Sequence, residues 1–159
     1  MIVFHEFSKL PELLKSGRSR KSRNSELQLQ TAKTEVISDG LHNGIHEIHI
    51  RIYLGDYENT FGICVVKVKN GVAEIYKMQI PETQRRKHYG SKLWKFAEKY
   101  VIKKYHPNRF IGELDLSNVA AVEFWKSHNF QIKHQEPDFG FVVKEVDARA
   151  HIASRNIHV

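Results

Sequence analysis

Between Gln84 and Lys92 the chain reads Q-R-R-K-H-Y-G-S-K, which sets Arg85, Arg86, Lys87 and Lys92 around His88, Tyr89, Gly90 and Ser91. These residue types suit phosphate binding. The first-turn N–H groups of a helix have no intrahelical acceptor, and the helix dipole adds partial positive charge to them. The same residues would also make an ordinary solvated basic turn, and the choice between the two falls to residues further along the chain. There, Asn118 stands where it can cap a helix, with Phe124, Trp125 and Phe130 behind it.

The remaining reactive side chains suggest less. His42, His46 and His49 invite a metal reading. On a strand, however, His46 and His49 point to opposite faces, and no cysteine or carboxylate completes a ligand set, so no metal is expected. Cys64 is the only cysteine, which excludes an internal disulfide; it lies in the apolar run Phe61 to Val66 and reads as a buried, inert thiol. Lys15 to Arg23 carries five basic and no acidic residues, marking residues 15–24 as a basic loop. That loop is a candidate arm for nucleic acid or a gate over an acidic acceptor, with a plain solvated loop as the alternative. It has no aromatic residue on which a base could stack.

The elements that would position these residues follow from periodicity. Ile2 to Phe4 reads as an edge strand, and Ser8 as the cap of a short helix bearing Leu10, Leu13 and Leu14. Glu26 to Val36 reads as a second helix. Ile45 to Leu54 alternates apolar and polar residues, as a half-buried strand does. Gly55-Asp56 marks a turn, Thr60 to Lys69 a further strand, and Asn70-Gly71 a two-residue hairpin into Val72 to Ile80. Three successive antiparallel strands are therefore expected. A helix over Ser91 to Tyr105 presents Leu93, Trp94, Ala97 and Val101 on one face and ends at His106-Pro107. A short strand, Phe110 to Leu116, precedes the helix from Asn118 to about His128. Phe130 to His134 and Phe139 to Val146 close the fold as a pair. Helices between late strands require at least one parallel crossover, so the fold class is α+β with a mixed, mostly antiparallel sheet flanked by helices.

The 159 residues, 41% apolar and 27% charged, suit one domain with its own core. We place that domain at residues 1–146, with a tail at 147–159 that could fray or serve a homodimer. No stretch is long and apolar enough for a membrane span, and the amino terminus lacks the layout of a signal peptide, so a cytoplasmic protein is expected. The formal charge of +7 favours a polyanionic partner, either nucleic acid or a phosphate-rich cofactor.

The element order and its two motifs resemble the GNAT superfamily of acyl-CoA-dependent N-acyltransferases. The family's pyrophosphate pattern, Q/R-x-x-G-x-G/A, is matched by Arg85 to Gly90, with His88 in place of a glycine. Its later pattern, roughly N-x-x-A-x-x-F-Y-x-x-x-G-F, is matched by Asn118, Ala121, Phe124 and Phe130. Trp125 stands in the tyrosine position and Asn129 in the glycine position, which Asn tolerates because it adopts left-handed backbone more readily than most residues. The resemblance is good from Val72 to about His134 and holds in outline from Ile45 to Val146. Residues 1–44 show none and are treated as a divergent N-terminal part.

The resemblance implies acetyl-CoA, or another acyl-CoA, as cofactor and an amine of unknown identity as acceptor, attacking the bound thioester directly. Backbone amides from Arg85 to Ser91 would cradle the pyrophosphate, with the Arg85 and Lys92 side chains assisting and Asn118 bordering the site. Met78, Gln79 and Ile80 would pair with the pantetheine arm. Glu74 and Glu113 lie where the family often places a general base, and His49 is a third candidate. Trp125 occupies the general-acid position with an indole N–H that donates a hydrogen bond but is no practical proton source. The alternative function is a weak or inactive member of the fold that serves as a basic binding protein for nucleic acid or another protein.

Overall fold

Four antiparallel strands come first in the computed structural model, which describes residues 31–55 and 60–147. They are β1 (Ala32–His42), β2 (Ile45–Leu54), β3 (Thr60–Lys69) and β4 (Val72–Gln79). Two turns of the same chemistry set the register. Asn43-Gly44 joins β1 to β2 and Asn70-Gly71 joins β3 to β4, all four residues having φ between 50° and 76°. Such left-handed pairs match the twist of the strands they connect.

Strand β1 corrects one expectation, because the sequence pattern assigns residues 32–36 to the end of a helix. Thr34 and Val36 are β-branched and half-buried on a pleated surface, and Glu35 lies directly across from Arg51 and forms an ion pair with it. The run of antiparallel strands is accordingly four long, not three. The expected strand at Ile2 to Phe4, the helix after Ser8, the basic loop at residues 15–24 and most of the tail lie outside the described residues.

After β4 come a short 3-10 turn (Glu82–Gln84), helix α1 (Tyr89–Tyr105), strand β5 (Arg109–Asp115), helix α2 (Val119–Ser127) and the pair β6 (Gln131–Glu136) and β7 (Phe139–Glu145). The sheet order is β1-β2-β3-β4-β5-β7-β6, and the β4–β5 neighbours are parallel, connected through α1. This is the expected mixed, mostly antiparallel sheet.

One face of the sheet is apolar and carries both helices. Ile48, Ile50 and Ile52 of β2, Cys64 and Val66 of β3, and Phe110 of β5 are fully buried, as are Leu93, Trp94, Ala97 and Val101 of α1. Trp94 is the wedge: its ring meets Phe110 at 5.4 Å, Trp125 at 5.2 Å and Phe130 at 5.5 Å, edge-on in each case. Edge-to-face contacts of this kind add roughly 0.5–1.5 kcal/mol each beyond area burial. They fix α1 against α2 and β5, and so fix the distance between the two motifs. No helix among the described residues is long and apolar enough to cross a membrane.

Candidate active site

Strands β4 and β5 pair only from Val72–Glu74 to Arg109–Ile111. Beyond Glu74 they part, because β5 continues along β7 as far as Asp115 opposite Phe139, while β4 stays with β3 to Gln79 opposite Ile63. Tyr76 is an extra residue in β4, between Ile75 opposite Val66 and Lys77 opposite Val65, and such a bulge bends and twists the strand locally. At the open end lies a cavity of about 560 Å³, bounded by the end of β4, the basic turn, the first turn of α1 and the first turns of α2.

The turn is built by short-range bonds. Gln84 N–H donates to Pro81 O and Arg85 N–H to Glu82 O, closing the 3-10 turn. The Arg85 Nε then reaches back to Ile80 O at 3.1 Å, and Lys87 Nζ to Gln84 Oε1 at 3.1 Å. Arg86 and His88 both adopt left-handed backbone, with φ of 58° and 61°. This supplies a backbone reason for the glycine expected at position 88: a β-carbon there is strained.

His88 is the N-cap of α1 and makes no side-chain capping bond; the first turn holds no acidic residue. The first intrahelical bond of the helix runs from Lys92 N–H to His88 O, so the amides of Tyr89, Gly90 and Ser91 have no intrahelical acceptor. These three residues border the cavity, as do Arg85 and Arg86, against a single acidic neighbour, Glu82. Gly90 packs closely: a β-carbon there would sit 3.2 Å from the Phe124 ring, which would have to give by a few tenths of an ångström, and 3.6 Å from Ile80. An anion-accepting helix end, a basic rim and a close-approach glycine fit a pyrophosphate group.

The far wall comes from α2. Asn118 Oδ1 accepts from Ala121 N–H at 3.1 Å, which starts the helix beside the cavity. Asn129 has φ of 64°, the left-handed backbone its place in the motif implies. Trp125 is buried in the aromatic wedge and also borders the cavity with Met78. Ser91 Oγ lies 3.1 Å from Nε2 of His128, a buried imidazole whose pKa is lowered by burial first and by Lys95 and Lys144 second. The Tyr89 hydroxyl is buried without a hydrogen-bond partner among the described residues, and burial raises its pKa.

The structure thus brings Met78, Ile80, Arg85, Arg86, His88 to Ser91, Asn118 and Trp125 to one cavity. Gln79, Lys87 and Lys92 neighbour it without lining it. Glu74 alternates with the buried Ala73 and Ile75, and Glu113 precedes the buried Leu114, so both carboxylates stand on the opposite face of the sheet. His49 is on that face too, 2.7 Å from Glu47, whereas His46 lies against Tyr105 of α1 on the helix face. Cys64 is sealed in the core and burial alone pushes its thiol up to about 12. Sequence reasoning missed His128 and the lining role of Glu82 and Ala120. A histidine at a helix C-cap carries no local signal of what it will meet 37 residues away.

Residues 29–130 match the family model described as acetyltransferase (GNAT) family. The chain belongs to the GNAT family of acetyltransferases. The match begins at residue 29, so the divergent N-terminal part contributes β1 to the matched region. A comparison with curated proteins finds no match.

Solved structures agree on the GNAT fold. PaiA N-acetyltransferase from Thermoplasma acidophilum, in complex with coenzyme A, is similar with a TM-score of 0.57 at 16% identity. That match covers 63% of this chain and 61% of the Thermoplasma protein, so the chain spans about three fifths of its length. A GNAT family acetyltransferase from Elizabethkingia anophelis with acetyl-CoA bound gives 0.58 at 11% identity, covering 73% and 99% of the two chains. Arabidopsis thaliana NAA60, in complex with a bisubstrate analogue, gives 0.54 at 14%, covering 64% and 76%.

Proposed function

We propose that this acetyltransferase binds acetyl-CoA in the cavity between β4, α1 and α2 and acetylates a primary amine that attacks the thioester directly. The observation that carries this reading is the uncapped first turn of α1, facing a basic cavity at the point where β4 and β5 part. The amides of Tyr89, Gly90 and Ser91 receive the pyrophosphate, and the Arg85 and Lys92 side chains add positive charge. Met78 to Ile80 run along the open edge of β4 and pair with the pantetheine arm. The thioester, when bound, supplies an already activated acyl group, so holding two reactants in attack geometry accounts for much of the catalysis.

Direct attack also accords with the rest of the chain. The only cysteine is buried with a thiol at about 12, so no cysteine offers itself as an acyl carrier. Trp125 replaces the phenol expected at the acid position, which leaves protonation of the departing thiolate to water or another residue. Glu74 and Glu113 stand on the face of the sheet away from the cofactor cavity, the side from which an acceptor would approach through the gap; we keep them as base candidates. Calorimetry with acetyl-CoA tests the binding step, and thiol release over a panel of amines, with Arg85→Ala as control, tests turnover. Absence of binding at low salt would leave the basic binding protein as the remaining reading.

A further inference from the structure

Ser91 is the third residue of α1 and borders the cavity beside the free amides of that first turn. Its side-chain partner among the described residues, His128, is held from several sides. The imidazole lies 4.6 Å from the Phe124 ring, the backbone carbonyl of His128 accepts from Lys144 Nζ at 3.0 Å, and its backbone N–H bonds to the last turn of α2. At 9% exposure it has little freedom to leave Ser91.

A serine hydroxyl has one proton. If Nε2 of His128 accepts that proton, Ser91 turns only lone pairs toward the cavity, which repels an anion. If Nε2–H donates to Oγ, the Ser91 proton is left for the ligand. We propose that His128 is a positioning residue of the cofactor site, donating to Ser91 so that the hydroxyl donates to a phosphate bound on the first turn of α1. The inference rests on the acyl-CoA reading of this cavity.

The charges around His128 give the arrangement a second property. Lys95 of α1 and Lys144 of β7 face it and, with burial, oppose its protonation. Glu98 of α1 is paired with Lys144 at 2.5 Å and offsets part of that charge, and Phe124 of α2 is neutral. A phosphate arriving beyond Ser91 adds negative charge at short range. His128 therefore takes up part of a proton as the ligand binds, and cofactor affinity rises as pH falls through the imidazole range.

The test titrates coenzyme A into the full chain by calorimetry near neutral pH, in buffers of different ionisation enthalpy. Imidazole proton NMR follows His128, with His88→Asn used to assign the other imidazole at the cavity. The wild type is expected to take up a fraction of a proton, and the His128 signal to titrate at higher pH in the complex. His128→Gln keeps a donor but cannot titrate; it should bind within about threefold of the wild type and lose the proton uptake. Ser91→Ala and His128→Phe should each weaken binding about tenfold, and the double variant no further. Normal wild-type binding with unchanged affinity in His128→Phe, or an unmoved His128 signal, overturns this inference alone. Absence of coenzyme A binding by the wild type overturns the cofactor reading and this inference with it.

Discussion

At its C-terminal end α1 is tied to β1 by the Asp39 carboxylate. That carboxylate accepts from Tyr100 at 2.6 Å, from Lys104 at 2.6 Å and from the Tyr105 hydroxyl. At the opposite end of the helix, the first-turn amides meet no capping side chain, and the N-cap itself is left-handed. Side chains of the last two turns of this helix are thus bonded to a neighbouring strand, whereas its first turn carries no side-chain cap. The difference shows how an open site is kept in place: the anchored end and the Trp94 wedge hold the helix, so the unsatisfied end keeps its aim without bonds of its own.

The largest effect should come from breaking the anchored end. Asp39→Ala removes three hydrogen bonds to a carboxylate whose side chain is 10% exposed, and should cost about 2–3 kcal/mol of stability in urea melts. Coenzyme A affinity of the folded fraction should fall by no more than about threefold, because the Trp94 wedge still holds the helix. Burial alone would raise the Asp39 pKa, but the bonds from Lys104, Tyr100 and Tyr105 outweigh it and lower it. Its contribution is thus present above the ordinary carboxylate pKa and is lost as pH falls through the lowered value. Tyr105 works in the opposite sense. Burial and then Asp39 push it up to about 12, so its contribution is whole below 10.0, the ordinary value, and lost as pH climbs toward the raised one. Urea melts across alkaline pH should show that loss in the wild type and a smaller one in Tyr105→Phe.

Breaking the open end should reverse the pattern. Gly90→Val places a branched side chain against Phe124 and Ile80, beside the amides proposed to hold phosphate. We expect coenzyme A affinity to fall at least about tenfold by calorimetry, beyond any loss of stability from crowding. An affinity equal to the wild type would mean that the anion sits elsewhere. Asn118→Ala then tests the neighbouring helix start, which the protein does cap. Losing the bond to Ala121 N–H should cost about 1 kcal/mol in the same melts.

The sequence was readable where local chemistry and tertiary context agree. Alternating Ile48, Ile50 and Ile52 marked β2, Asn70-Gly71 marked the β3–β4 hairpin, and the basic turn and Asn118 marked both motif helices. It misled at β1, whose polar residues have no apolar period because one face of this strand, outermost in the sheet among the described residues, is largely exposed. The Asn43-Gly44 turn is the informative signal there, being the same dipeptide that closes the β3–β4 hairpin. Two features had no local signal. The parting of β4 from β5 depends on which neighbour each strand keeps, and the Ser91–His128 contact joins two motifs that the sequence presents separately.

The smallest effect separates two accounts of His88. Its φ of 61° is costly for a residue with a β-carbon, and it forms no capping bond that would offset the strain. His88→Gly relieves the strain but frees the unfolded chain, so the net gain in stability should be below about 1 kcal/mol. Affinity is the sharper readout. If the histidine is a strained substitute for glycine, coenzyme A should bind the variant within about threefold of the wild type, or tighter, because backbone amides do the holding. If instead the imidazole bonds the phosphate, affinity should drop about tenfold despite the gain in stability. The second result would mean that the open end of α1 recruits one side chain of its own, and would narrow the contrast with the end anchored by Asp39.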